Sequence, residues 1–151
     1  MINFYNYENA DFSDLEQVLI RAAEAVLSYH GLHDNTELTI ALENIKTIQK
    51  LNNDFLQINE PTDVLSFPSD EFEPDTQSKY IGDVVISKEI AVKQAESAGH
   101  ELICELQLLV IHGVLHLLGY DHAVDPDKNK MWAVQKFILE SLDCNILKYP
   151  E

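Results

Sequence analysis

The chain has 151 residues, with 10 basic and 26 acidic side chains and a formal net charge of −16. That balance excludes generic attachment to a polyanion through lysine and arginine, so any contact with nucleic acid has to be local, through a bound divalent ion, a few clustered lysines or a basic partner protein. The length suits one domain with a real core, predicting a single unit over residues 1–151, and no apolar run reaches the roughly 18 residues of a membrane helix. The first residues, MINFYNYENADF, lack the basic and apolar regions of a signal peptide, and the only cysteines are Cys104 and Cys144. These features predict a soluble, cytoplasmic protein in a reducing compartment, with Cys104 as a buried apolar thiol.

The elements follow from periodicity. Ile2, Asn3, Phe4 and Tyr5 alternate and predict a short strand. From Asp14 to about Tyr29, Leu15, Val18, Leu19, Ala22, Ala25 and Val26 form a helical stripe that Gly31 ends. Residues 37–42 return to a period of two, and Asn44 then caps a helix with Ile45, Ile48 and Leu51, running to about Phe55. Residues 62–67 predict a third strand between Pro61 and Pro68. The acidic stretch SDEFEPDTQSK, residues 69–79, shows no period and predicts a mobile loop. Residues 80–86 predict a fourth strand, after which Ser87 caps a helix that stops at Gly99. A nearly all-apolar helix spans residues 106–118, and Asp125-Pro126 opens a last helix with Val134, Phe137, Ile138 and Leu142 on one face. This order predicts an α+β fold, a single mixed sheet of about four strands packed with helices.

The eleven residues HGVLHLLGYDH, 112–122, hold the densest chemistry. Histidines four apart share one face of a helix, so His112 and His116 can converge on one ion. Gly119 supplies the turn that swings His122 back as a third ligand. Two unpaired imidazoles in so apolar a helix would cost on the order of 1 to 3 kcal/mol each, a cost that a metal removes. Three protein ligands leave one coordination position open, the arrangement of catalytic zinc, which predicts one Zn2+ ion; imidazoles also suit nickel, copper and cobalt. The strands at residues 62–67 and 82–87 are the natural walls of a cleft beside this helix, offering Thr62, Asp63, Ser66, Asp83 and Ser87. Asp63 and Asp83 either cap local backbone or face the metal. Asp121 either receives a hydrogen bond from a ligand imidazole, accepts a proton, or is a turn residue. His30, His33 and His100, near helix ends, are expected at the surface, and Tyr120 is expected to pack rather than catalyse.

The spacing HxxxHxxGxxH also occurs in metzincin peptidases, where a glutamate directly after the first histidine is the general base; here that residue is Gly113, which argues against peptide hydrolysis. Zinc remains able to polarise a phosphoryl oxygen and to activate water, both useful in phosphodiester cleavage.

HGVLHLLGYDH, together with TDVLSFP at 62–68 and GDVVIS at 82–87, resembles the YbeY family across about residues 51–142. The resemblance implies a zincin-like metal helix with His112, His116 and His122 as ligands, and a zinc-dependent endoribonuclease acting on single-stranded RNA. It further implies 16S rRNA 3′-end maturation and ribosome quality control, with the 30S subunit and ribosomal proteins as partners and neither membrane nor DNA. His112 and Asp121 are the catalytic candidates under this reading. Two residues depart from the family pattern. Leu56 stands where many members have an arginine able to hold a phosphate, for which Lys50, Lys79 and Lys88 are the candidate substitutes, and Gln135 stands where an acidic residue is expected. The competing readings are a ribosome-assembly binding factor with a largely structural zinc, favoured by Leu56 and the acidic charge, and a metallopeptidase, disfavoured by Gly113.

Overall fold

Hydrophobic alternation along β2 sets the architecture. Leu38, Ile40 and Leu42 are fully buried on one face, while the intervening Thr39 and Ala41 face the other way. The computed structural model describes residues 1–7, 13–32 and 34–144, so His33 lies outside the described residues. In chain order the elements are β1 (Ile2–Asn6), α1 (Ser13–Tyr29), β2 (Thr36–Glu43), α2 (Ile45–Leu56), β3 (Val64–Glu73), β4 (Ser78–Ser87), α3 (Lys88–Ala98), α4 (Leu102–Leu117) and α5 (Asp125–Ser141). The four strands form one mixed sheet in the order β1-β2-β4-β3, with β1, β2 and β4 parallel and β3 antiparallel to β4 at the edge. The α+β fold expected from the element order is the one observed.

Helices cover both faces. The larger core packs α1, α4 and α5 against Leu38, Ile40, Leu42, Val84 and Ile86. On the opposite face, Ile48 of α2 meets Leu65 and Val85, which the pleat points away from the main core. The expected caps form: Asn44 Oδ1 accepts from Thr47 N at 2.8 Å, and Ser87 Oγ accepts from Ile90 N at 3.2 Å. Among the described residues no single helix is long and apolar enough to cross a membrane.

Four expectations need correction. Residues 69–79 form the turn end of a β-hairpin, because β3 continues to Glu73 and pairs with β4 from Ser78. As an edge strand, β3 points its acidic residues into water, which hides any burial period from the sequence. Phe137 is 62% exposed and lies 5.7 Å from the Tyr29 ring, because α5 instead buries Met131, Val134, Gln135, Ile138 and Leu139. Neither His30 nor His100 is a free surface residue. The His30 ring bridges Val26 O and the Tyr120 hydroxyl, both at 2.7 Å, and His100 contacts the buried Glu105 at 2.6 Å. Finally, Cys104 and Cys144 are joined in a disulfide rather than standing as free thiols. Packing of α5 along α4 brings their Cα atoms to 5.7 Å, inside the range a disulfide spans, so the cysteines carry no argument for a reducing compartment.

Candidate metal centre

Helix α4 lies unusually close to the sheet at Gly113. A Cβ at that position would sit 2.5 Å from Val84 Cγ1 and 3.2 Å from Ser66 Oγ, so only glycine lets the helix seat there. Ser66 Oγ donates to the Gly113 carbonyl at 3.0 Å and ties the helix to the edge strand. The residue after the first histidine thus faces the sheet. Any side chain there would collide with Val84 before it reached the cleft.

One turn apart on the cleft side of the same helix, the buried His112 and the half-buried His116 bring their Nε2 atoms to 3.1 Å. Gly119, at φ +98°, turns the chain out of α4. Tyr120 N donates back to Leu115 O at 3.0 Å, and the Tyr120 carbonyl accepts from His116 Nδ1 at 2.9 Å. His122 then returns, its ring 5.4 Å from His112 and 5.0 Å from His116. The ligand atoms of the three histidines lie within 4.8 Å of one another. Trp132 of α5 backs the cluster at 5.9 Å from His112 and 5.6 Å from His122.

The donor set fits a metal ion. His112 Nδ1 donates to Gln135 Oε1 at 2.9 Å and His116 Nδ1 to Tyr120 O, which leaves each Nε2 unprotonated and facing the shared point. Burial, chiefly, lowers the His112 pKa to about 4, with the neighbouring His116 and His122 pushing it further down and the Gln135 hydrogen bond opposing. His116 is lowered by burial as well, against the opposing hydrogen bond to Tyr120. Both rings are therefore neutral at pH 7, as metal ligation requires.

The cluster opens on a cleft of about 580 Å³ lined by the three histidines together with Leu56, Thr62, Asp63, Ser66, Pro68 and Gln94, among others. Thr62, Asp63 and Ser66 line the same cleft as the histidines. Asp63 is firmly held: Oδ1 accepts from Val64 N at 2.8 Å and from Thr62 Oγ1 at 3.3 Å, and Oδ2 accepts from Gln94 Nε2 at 3.2 Å. Asp83 and Ser87 do not line the cleft. Asp83 sits in register with Thr39 on the sheet face away from α4 and accepts from the Tyr80 hydroxyl. Burial, reinforced by that contact, pushes the Tyr80 pKa up to about 12. Ser87 is fully buried as the cap of α3.

Asp121 is exposed and accepts from Ala123 N at 3.0 Å, shaping the His122 loop. It lines a separate hollow with Gly119, Tyr120, Asp127 and Lys130. The imidazoles find their acceptors in Gln135 and the Tyr120 carbonyl instead.

Gln94 and Trp132 are site residues that local sequence reasoning misses, and Gln135, noted only as a departure from the family pattern, gains its role behind His112 from the fold. Gln94 lies 18 positions before the first of the three clustered histidines, and Trp132 and Gln135 reach them from another helix, so only the fold brings these side chains in. Of the lysines considered as phosphate ligands, Lys50 pairs with Asp54 and Lys79 with Asp70, and among the described residues no lysine or arginine lines the cleft. Lys128 Nζ lies 5.9 Å from the Trp132 ring that backs the histidines. The signal for it was a lysine in the first turns of the helix that follows His122.

Fold and site together define an α+β protein whose three histidines, two on a core helix and one on the loop after it, meet beside the edge of a mixed sheet. The family described as Endoribonuclease YbeY matches residues 2–143, and the chain belongs to the YbeY family. A protein named endoribonuclease YbeY from Mycobacterium sp. (strain KMS) is 41% identical over 132 residues, covering 83% of this chain and 75% of its own. One of the same name from Rhodococcus erythropolis is 38% identical over 146 residues, covering 92% and 80%. The solution structure of TM1509 from Thermotoga maritima superposes with a TM-score of 0.65 at 29% identity, covering 94% of this chain and 89% of that one.

Proposed function

We propose that residues 1–151 act as a single unit, a zinc-dependent endoribonuclease that hydrolyses single-stranded RNA in the cytoplasm. The observation that carries the reading is the convergence of three imidazoles on a cleft that also holds an ordered carboxylate, in a chain of the YbeY family. His112, His116 and His122 would hold the ion. A divalent ion there supplies Lewis-acid polarisation of a phosphoryl oxygen and favours ionisation of water near neutral pH.

The protein's own groups do the rest. Gln135 and the Tyr120 carbonyl fix the ring orientations of two ligands, so little reorganisation accompanies reaction. Asp63, held by Gln94, Thr62 and its own neighbouring amide, is the group proposed to take the proton from the attacking water at Oδ2. Asp121 is assigned to shaping the loop that delivers His122. The finer reading, maturation of the 16S rRNA 3′ end and ribosome quality control on the 30S subunit, extends this activity to the substrate that family membership favours. The test is metal content together with cleavage of a defined single-stranded RNA by wild type and His112→Ala. Retained cleavage in the variant, or none in the zinc-loaded wild type, would end the proposal.

A second reading has its own observation. Among the described residues the cleft wall carries no cation, and the chain is strongly acidic, which favours a ribosome-assembly binding factor whose zinc is largely structural. Binding to small-subunit precursors that survives metal removal, without cleavage, would select it. The metallopeptidase reading has no support in the site, because Gly113 is packed on Val84.

A further inference from the structure

The α2 side of the cleft is apolar, exposed and held in place. Phe55 is 61% exposed, Leu56 53% and Ile58 46%, in the last turn of α2 and just beyond it. Phe55 meets the Phe67 ring of β3 edge-on at 5.2 Å, and the next residue after each, Leu56 and Pro68, lines the histidine cleft. This lip is tethered. Gln57 adopts a left-handed turn at φ 57°, Ile58 N donates to Asn52 O at 3.3 Å, and the buried Asn52 donates from Nδ2 to Glu60 O at 2.9 Å. The aromatic surface is therefore preformed at the mouth of a site whose walls, among the described residues, offer no lysine or arginine. A strand of RNA reaching the histidines past this lip meets rings and aliphatic carbon rather than positive charge. Every nucleobase has a π face that stacks on an aromatic ring, whatever its identity, and that attraction does not depend on overcoming a net charge of −16.

We infer that Phe55, braced by Phe67 and flanked by Leu56, is a stacking platform for an unpaired nucleobase of RNA entering the cleft. The inference rests on the endoribonuclease reading and adds its mode of substrate selection. A base in a duplex has both faces covered by its neighbours, so the platform favours single strands. Affinity gained this way also depends less on salt than affinity gained from phosphate contacts.

The test is fluorescence anisotropy with a short fluorescein-labelled single-stranded oligoribonucleotide of mixed sequence, on zinc-loaded wild type, F55A, F55W and F72A. Phe72 is 60% exposed on the β3–β4 hairpin and lines a different hollow, so it controls for general apolar adhesion. The dissociation constant should rise about tenfold in F55A and stay within about twofold of wild type in F55W and F72A. In cleavage assays KM should rise in F55A while kcat is unchanged. Equal affinity in F55A and wild type overturns the platform, as does an equal loss in F72A. Sedimentation showing a wild-type dimer that F55A dissolves, with unchanged RNA affinity, would assign the lip to self-association and also overturns it. Phe55-dependent binding without cleavage leaves the platform standing and removes the nuclease reading; cleavage indifferent to Phe55 does the reverse. A wild type that neither binds nor cleaves overturns both.

Discussion

His112 Nδ1 donates to Gln135 Oε1 at 2.9 Å, across 23 positions of sequence and from one buried helix to another. Gln135 is fully buried, and among the described residues its Nε2 has no hydrogen-bond partner, so the bond to the imidazole is the one that orients the amide. The bond fixes which His112 nitrogen is free for a metal. Gln135→Leu should therefore weaken zinc binding by roughly 10- to 100-fold, the range for loss of a partner behind a metal-binding histidine. Gln135→Glu keeps an acceptor and should preserve or tighten it. Competition with a chelating dye measures both, and identical affinities for leucine and wild type would remove the role assigned to Gln135.

Gly113 is a packing requirement before it is a catalytic absence. Gly113→Ala places a methyl 2.5 Å from Val84 Cγ1, against a β4 side chain with no exposed surface. The expected loss is about 1 to 3 kcal/mol in urea unfolding. Adding Val84→Ala should restore part of it, because the collision is with that side chain. A Gly113→Ala protein as stable as wild type would show that the helix can shift without cost.

The Asp63 and Asp121 carboxylates should separate cleanly in kinetics. Asp63→Asn leaves a similar shape in the cleft but removes the base, so kcat should fall by about 10² to 10⁴ with zinc content unchanged. Asp121→Asn keeps an oxygen for the Ala123 amide and should have little effect on kcat. Matching losses in the two variants would contradict the assignment.

Acid should destabilise the metal-free protein through His112. Burial lowers this pKa from 6.5 to about 4, so between those values the unfolded chain binds a proton that the folded chain does not. Stability consequently rises with pH across the window and is lost as pH falls from 6.5 towards 4, by up to about 3 kcal/mol. Urea midpoints recorded against pH in chelator give the slope. His112→Asn should flatten it, and an equally steep slope in that variant would shift the cause elsewhere.

Cys104 and Cys144 close a loop across 40 positions, from the first turn of α4 to the chain beyond α5. Maleimide should label neither thiol in denatured protein until reductant is added. Cys144→Ser should lose on the order of 2 to 4 kcal/mol of stability. Zinc affinity should hold, since the histidines occupy the opposite end of α4. Ready labelling without reductant would disprove the bridge.

Much of the architecture is legible because it is local. The four-residue histidine spacing, the glycine exit at Gly119, the caps at Asn44 and Ser87 and the alternation in β2 each depend on a few neighbouring residues, and each appears in the structure. The hairpin at residues 69–79 was illegible for a physical reason. An edge strand in water shows no burial pattern, and its pairing depends on β4. Asp83 and Ser87 failed as cleft residues because the sheet turns one to its far face and a helix start claims the other.

By itself, then, the sequence determined the helix-and-turn arrangement that brings three imidazoles into one segment, the mixed α+β order and the charge that rules out generic polyanion binding. The tertiary structure alone decided which groups complete the site: Gln135 behind His112, Asp63 rather than Asp121 in the cleft, Val84 against Gly113, and Phe55 against Phe67 at the mouth. Backbone periodicity is governed by neighbours a turn or less apart. Contacts between distant residues depend on strand order and on how each helix is rotated against the sheet, which only burial of the whole core sets.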